Sequence, residues 1–303
     1  MSTILLLGKE GQVGWELARW LTPLGDIVAL GRGELDLAQP DRIREAVRGL
    51  RPGLVVNAAA YTAVDRAEAE PQVAMAVNGL APGILADEAR RAGAALVHYS
   101  TDYVFDGLKG APYAEEDVPN PLNVYGQTKL AGENAIRDVG GGYLILRTSW
   151  VYGTRRESFL TRIVQQAREK EEIRVVQDQV GSPTWCGMVA RATAEILKRI
   201  AATIAHRSWQ EAIGEVSGLY HYAGWGSTSW FHLAREILVA DPHRRDHVVR
   251  RVNAIASSEY RSPALRPCFS ALAIDRVSRV FGLKKTAWQG HVQLCWAAAS
   301  RRV

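Results

Sequence analysis

The sequence predicts an α/β protein: a doubly wound parallel sheet, followed by a smaller lobe of mixed α/β structure. Three observations carry that expectation. Short apolar runs alternate with amphipathic helical stretches through the first half. The runs are apolar at nearly every position, as strands buried on both faces must be. The alternation also suits right-handed β–α–β crossovers in one sheet. The strand-like runs are Thr3–Leu7, Asp26–Leu30, Gly53–Asn57, Ala94–Tyr99 and Tyr143–Arg147. Helices are expected between them over Val13–Leu21, Pro40–Leu50, Gln72–Ala92 and Val124–Val139.

After about Trp150 the rhythm loosens. A helix (Glu157–Glu169), a short strand (Ile173–Val176), a helix (Cys186–Ile200) and a strand (Gly218–Tyr222) are expected there. Arg244–Phe269, rich in Arg, Ser and Pro, reads as loops with short strands. The boundary falls near residue 150, with some segments of 151–303 returning to the first domain. Trp225 and Trp230, in "GWGSTSWF", read as core of the second lobe.

Bulk composition narrows the class. With 47% hydrophobic and 23% charged residues the 303-residue chain is an ordinary globular protein. Its formal charge of +5 is spread in small arginine clusters, whereas a nucleic-acid surface needs a dense basic stripe. No nucleic-acid partner is expected. Cys186, Cys268 and Cys295 have no metal-ligand or CxxC spacing and read as reduced thiols. The chain enters its first strand without a basic leader, and no apolar run approaches the length that spans a bilayer. A cytoplasmic protein with no membrane partner is expected.

"LLLGKEGQVGWEL" sets Gly8, Gly11 and Gly14 directly after the first strand and into the first helix. Glycines at this spacing let the chain turn tightly and approach a pyrophosphate, whose charge the helix N-terminus complements. The strand–turn–helix setting makes this a dinucleotide fingerprint rather than an ordinary turn. The sheet is therefore read as Rossmann-type, with 1–150 binding a dinucleotide and 151–303 mainly binding substrate. The second strand ends Leu30-Gly31-Arg32-Gly33, with no acid at its tip. Arg32 suits a 2′-phosphate, which favours NADPH while leaving NADH possible. Asp36 and Leu37 follow at adenine range, and "NAAAYT" (Asn57–Thr62) supplies small residues for a close cofactor wall.

"NVYGQTKLAGE" places Tyr125 and Lys129 four residues apart on a helix, hence on one face. A free phenol, with a pKa near 10, is a poor proton source near neutrality. A neighbouring ammonium lowers that value and can also hold the ribose hydroxyls. Ser100 and Thr101 end the fourth strand, at the sheet edge where such folds bind ligands. His98 and His221, within strand-like runs, read as satisfied buried side chains rather than bases.

These residues resemble the short-chain dehydrogenase/reductase superfamily, in its extended branch acting on nucleotide sugars, and most closely the dTDP-4-dehydrorhamnose reductase family. The resemblance rests on "GKEGQVGWEL", "NAAAYTAVDRAE", "VHYSTDYVFDG", "PLNVYGQTKLAGE" and "RTSWVYG". It is dense over residues 3–153 and thinner beyond, in "DQVGSPT", "GLYHYAG" and "SPALRPCFSAL". It implies reduction of the C4 ketone of dTDP-4-dehydro-L-rhamnose by a nicotinamide dinucleotide. By that similarity Tyr125 gives the proton to the C4 oxygen, Lys129 lowers its pKa, and Thr101 completes the triad. Thr101 and Asp102 would touch the sugar, and Trp150 would pack against it. Gly11, Gln12 and Val13 would line the pyrophosphate, and Asp36, Leu37, Ala60, Tyr61, Thr62 and Tyr99 the rest of the cofactor.

The chain departs from the family pattern twice. Some members form magnesium-linked homodimers through acids just after "PT"; here Trp185–Arg191 carries no carboxylate before Glu195, and Glu16 alone remains. One acid is a thin magnesium site, so no metal is expected, and the chain reads as a monomer or weak homodimer. The family's "RPxNS" appears as Arg266-Pro267-Cys268-Phe269-Ser270, without the asparagine. Two alternatives stay open: a related 4-ketosugar reductase with another sugar, and a non-catalytic regulatory subunit like that of methionine adenosyltransferase.

Overall fold

A computed structural model of the chain describes residues 2–204 and 207–301. The outer bounds of the expected two-domain division, 1 and 303, lie outside those residues. Six parallel strands form the central sheet: β1 (Thr3–Leu7), β2 (Asp26–Leu30), β3 (Leu54–Asn57), β4 (Ala95–Thr101), β5 (Tyr143–Thr148) and β6 (Gly218–His221). Their spatial order is β6-β5-β4-β3-β1-β2. The chain leaves β1 toward one edge to make β2, then crosses to the other side of β1 for β3. A crevice opens where the order reverses, beyond the carboxyl ends of β1 and β3, and such crevices bind ligands.

Strand residues alternate between two cores. Ile4, Leu6, Leu54, Val56 and Val97 join one apolar cluster with Leu17, Leu21, Leu197 and Ile200. Leu5, Leu7, Val55, Leu96 and Ile145 join the other with Ile43, Val47, Leu85 and Ile136. The sheet is thus covered on the first face by helices α1 (Gln12–Trp20) and Cys186–Ala201. The second face carries α2 (Pro40–Leu50), α3 (Ala81–Arg91) and α4 (Val124–Val139). Period-2 burial on both faces explains why these runs are largely apolar, with most of their polar residues at or near the strand ends.

The expected continuous helix over Gln72–Ala92 is divided: Pro71–Met75, a π-helical segment Ala76–Leu80, then α3. Pro82 has no amide hydrogen to give the Asn78 carbonyl, and the ladder widens before it. Gly132 of α4 lies against that same carbonyl, where a Cβ would collide.

A third apolar cluster joins Tyr152, Leu160, Ile163, Ile173, Leu233, Ile237 and Val292. It is built by helices Phe159–Glu169, Trp230–Ala240 and Trp288–Ser300 beside the parallel pair Glu172–Val176/Arg251–Ile255. The last two of these helices were not anticipated. Trp288–Ser300 is apolar on most sides and so lacks the polar face by which helices are recognised, whereas Trp230–Ala240 has one in His232, Arg235 and Glu236 that was overlooked. Trp225 does not belong to this core: it is 55% exposed. Among the described residues no helix is long and apolar enough to cross a membrane.

Candidate functional site

A cleft of about 780 Å³ opens along the carboxyl ends of the strands. Its floor is the turn between β1 and α1. Gly8 holds φ +82, and a Cβ there would lie 2.7 Å from the Ala59 nitrogen. The chain after β1 therefore runs against the chain after β3, which only glycine permits. A Cβ on Gly14 would collide with the Gly8 carbonyl oxygen, so the third glycine lets α1 pack onto its own entry turn. Gly14→Ala is expected to weaken NADPH binding at least ~10-fold, about 1.4 kcal/mol, in a fluorescence titration. Gly33→Ala, with nothing near its added Cβ, is the control expected to bind as the parent does.

Gly8, Gly11, Gln12 and Val13 line this end of the cleft, with Arg32, Asp36 and Leu37 beyond them. Ala60, Tyr61 and Thr62 form the opposite wall. Arg32, 76% exposed in its side chain, makes a loose ion pair with Asp36 at 3.5 Å. Asn78, which sequence reasoning missed, fixes that wall. Its amide oxygen accepts from the Tyr61 backbone N–H at 2.9 Å, while its nitrogen donates to the Tyr61 carbonyl at 3.0 Å and to Thr128 at 3.2 Å. The cofactor wall and α4 are therefore tied through one buried amide.

Three polar atoms of cleft-lining residues, the Gln12 Oε1, the Ser100 Oγ and the Thr148 Oγ1, are buried without a partner among the described residues. Buried polar atoms left unpaired are costly unless a ligand completes them. Together with the glycine turn, they fit a dinucleotide laid across the strand ends.

The other end of the cleft is built by β4 and α4. Asn123 caps α4, its side chain accepting from the Gly126 N–H at 2.8 Å. Tyr125 and Lys129 follow one turn apart, both facing the cleft. The Thr101 hydroxyl lines the same cleft as the Tyr125 hydroxyl. Burial pushes the phenol up to about 12; the Thr101 hydroxyl pulls against this and the Asp102 charge adds to it. Lys129 is not what moves this phenol in the open cleft. Its Nζ donates to the Tyr99 carbonyl at 2.6 Å and lies 3.2 Å from the His98 Nε2. Burial brings the Lys129 ammonium down to about 8, opposed by Glu133.

Tyr99 meets Lys129 through its carbonyl only, its hydroxyl being paired with Thr193 at 2.7 Å. His98 and His221 are buried and hydrogen-bonded, and burial holds both well below the ordinary imidazole value.

Asp102 has its carboxylate fully engaged. Thr101 donates to it at 3.1 Å, Ser149 at 2.9 Å and Ser270 at 2.6 Å. Burial pushes it up to about 6, held down by these three hydroxyls. Its visible work is to orient Thr101 and join three segments, rather than to offer a free oxygen to a sugar. Ser270 is set in place by its backbone N–H, which donates to the Val180 carbonyl at 2.7 Å, and by the Tyr113–Leu272 bridge beside it. Ser149 and Ser270 were missed by sequence reasoning although both lie inside quoted motifs.

Trp150 takes a left-handed backbone, φ +47. Its ring stacks on Trp230 at 3.4 Å and 3°, and a Cβ on Gly181 would strike it. Trp230, expected as lobe core, also lines the cleft. A strained aromatic at a ligand cleft points to function. Among the described residues no group of three or more His, Cys, Asp or Glu is placed to hold a metal.

The model of the RmlD substrate binding domain family matches residues 1–301. The dTDP-4-dehydrorhamnose reductase of Burkholderia thailandensis is 44% identical over 295 residues, 96% of this chain and 97% of that one. That of Escherichia coli K12 is 40% identical over 293 residues, 94% of each. Among solved structures, the Bacillus anthracis dTDP-4-dehydrorhamnose reductase in complex with NADP superposes with a TM-score of 0.85 at 30% identity. It covers 98% of this chain, which covers 99% of it. With its sheet, its glycine-floored cleft and this full-length likeness, the chain belongs to the RmlD substrate binding domain family, that of the dTDP-4-dehydrorhamnose reductases.

Proposed function

We propose that this protein is an NADPH-dependent oxidoreductase that reduces the C4 ketone of dTDP-4-dehydro-L-rhamnose to dTDP-L-rhamnose, with NADH as a possible second donor. One observation carries the reading: the Thr101–Tyr125 hydroxyl pair and Lys129 line the same cleft as the glycine turn. The full-length likeness to reductases of that name supports the choice of sugar.

NADPH, when bound, supplies the hydride. Tyr125 gives the proton to the C4 oxygen as charge develops there, and the Thr101 hydroxyl stabilises that oxygen, an electrostatic contribution of the kind that usually dominates. A phenol held near 12 is a reluctant donor. The Lys129 ammonium brings it toward the working range, and the same group holds the ribose hydroxyls. Trp150 gives the sugar an apolar face, and Arg32 meets the 2′-phosphate. Asp102 acts through Thr101. Residues 1–150 serve mainly the cofactor and 151–303 mainly the sugar nucleotide. The protein works as a monomer or weak homodimer in the cytosol, with no nucleic-acid partner.

The test mixes purified protein with NADPH and enzymatically made dTDP-4-dehydro-L-rhamnose and follows the nicotinamide absorbance. Steady loss of NADPH with formation of dTDP-L-rhamnose is expected. Turnover only with another 4-ketosugar nucleotide would reassign the substrate. Binding of NADPH without turnover of any ketosugar would make the protein regulatory.

A further inference from the structure

Behind Lys129 lies a buried chain of polar groups that the reaction itself does not use. His98, 1% exposed, stands between Asn57, also 1% exposed, and Lys129, 2% exposed. The Asn57 Nδ2 is 3.1 Å from the His98 Nδ1, and the His98 Nε2 is 3.2 Å from the Lys129 Nζ.

The direction of each hydrogen bond follows from counting donors. The Asn57 Oδ1 accepts from the Ala59 backbone N–H at 3.2 Å. Turning that amide over would set its NH₂ against another N–H, so the NH₂ faces His98. The His98 Nδ1 must then be the acceptor. A neutral imidazole with an accepting Nδ1 carries its one proton on Nε2. That proton points at the Lys129 Nζ. An ammonium has no lone pair to receive it, whereas an amine has one and still donates to the Tyr99 carbonyl at 2.6 Å.

We propose that His98 is a positioning residue for Lys129: its Nε2–H caps the lysine nitrogen, favours the uncharged amine in the cofactor-free protein, and so sets the pH above which the reaction fades. The other groups around Lys129 do not supply this effect. On its own helix, Glu133 favours the charged form but is paired with Arg147 of β5. Tyr125 and Thr101 line the cleft as neutral hydroxyls, and β4 gives Lys129 the Tyr99 carbonyl. Asp102 spends its charge on three hydroxyls, and Asn78 reaches only Thr128 and Tyr61. Burial pushes Lys129 in the same direction as the cap. The inference rests on the proposed role of Lys129 for its kinetic consequence, but not for its structural content.

Two measurements test it. In ¹⁵N-histidine-labelled, cofactor-free protein, long-range ¹H–¹⁵N spectra identify the tautomer of His98, assigned by its disappearance in His98→Gln. The Nε2–H form is expected at pH 7, and an Nδ1–H form would overturn the proposal. The second is the pH profile of kcat/KM for NADPH, which reports ionisations of the free enzyme. His98→Gln can turn an amide oxygen toward Nζ. Asn57→Asp demands a proton on Nδ1 and reverses the tautomer at nearly constant volume. Each removes the donor facing the amine, so the ammonium persists to higher pH. The basic limb should move up by about one pH unit, with the acid limb unmoved. A merely structural histidine would lower Tm and leave the limb in place, and an unmoved limb in both variants also overturns the proposal. Should the parent reduce no ketosugar, the proposed function fails while the tautomer still decides this inference.

Discussion

Tyr125→Phe is expected to lower turnover by about 10²-fold or more, within the range that loss of a general acid produces, while NADPH affinity stays nearly the same. The substitution removes one oxygen and little else. The ring sits edge-on to Tyr103 at 5.9 Å and 77°, a contact phenylalanine reproduces. The helix cap at Asn123 and the glycine floor are untouched. What disappears is the hydroxyl placed to give a proton to the ketone oxygen, the Lys129 Nζ being turned toward the Tyr99 carbonyl and His98. Transient kinetics with saturating NADPH measures the reduction step directly, and isothermal titration measures cofactor affinity. A variant reducing the sugar at a near-normal rate would remove Tyr125 from the mechanism. One that lost cofactor binding in parallel would reduce it to a packing role.

This prediction could be framed from sequence because Tyr125 and Lys129 announce themselves by spacing, one turn apart at the start of a helix. The strands of the first half were legible to within two residues for a similar reason. Burial on both faces leaves a largely apolar signature at β1, β3, β4 and β5, and the half-buried edge strand β2 shares it. Features without a local signature were not legible. Asn78, Ser149 and Ser270 act through hydrogen bonds to residues distant along the chain, and no local spacing gives them a role, even where the two serines lie inside recognised motifs. The π segment before Pro82 was readable in principle, since a proline within a helical pattern leaves a carbonyl unpaired. The helix Trp288–Ser300 was hidden by being apolar on most sides. The relation of Lys129 to Tyr125 was only half visible. Spacing places both on one face, but the strand behind them turns the Lys129 Nζ toward His98 and the Tyr99 carbonyl in the open cleft.

The second large effect concerns what holds that helix in place. Arg147→Met is expected to destabilise the protein by about 3–5 kcal/mol, the cost of leaving a buried charge without its partner. Arg147 on β5 is 2% exposed and Glu133 on α4 is fully buried. They meet in a bidentate fork, Nε to Oε1 at 2.8 Å and Nη2 to Oε2 at 2.6 Å. The guanidinium also lies over the Phe105 ring, 5.0 Å from its centroid. Removing the arginine leaves a carboxylate in an apolar interior with no water to solvate it. Removing both charges, as in Arg147→Met/Glu133→Leu, should recover much of the loss, because desolvation is then no longer required of either group. Urea unfolding of the two single variants and the double variant yields the coupling. If the double variant is as unstable as the sum of the singles, the pair is not the clamp. If it recovers, the ion pair holds α4 against β5, and with it Tyr125 and Lys129 against the cleft. The double variant would then keep its cleft geometry wherever it stays folded, with the basic limb of its pH profile moved down, since Glu133 favours the Lys129 ammonium.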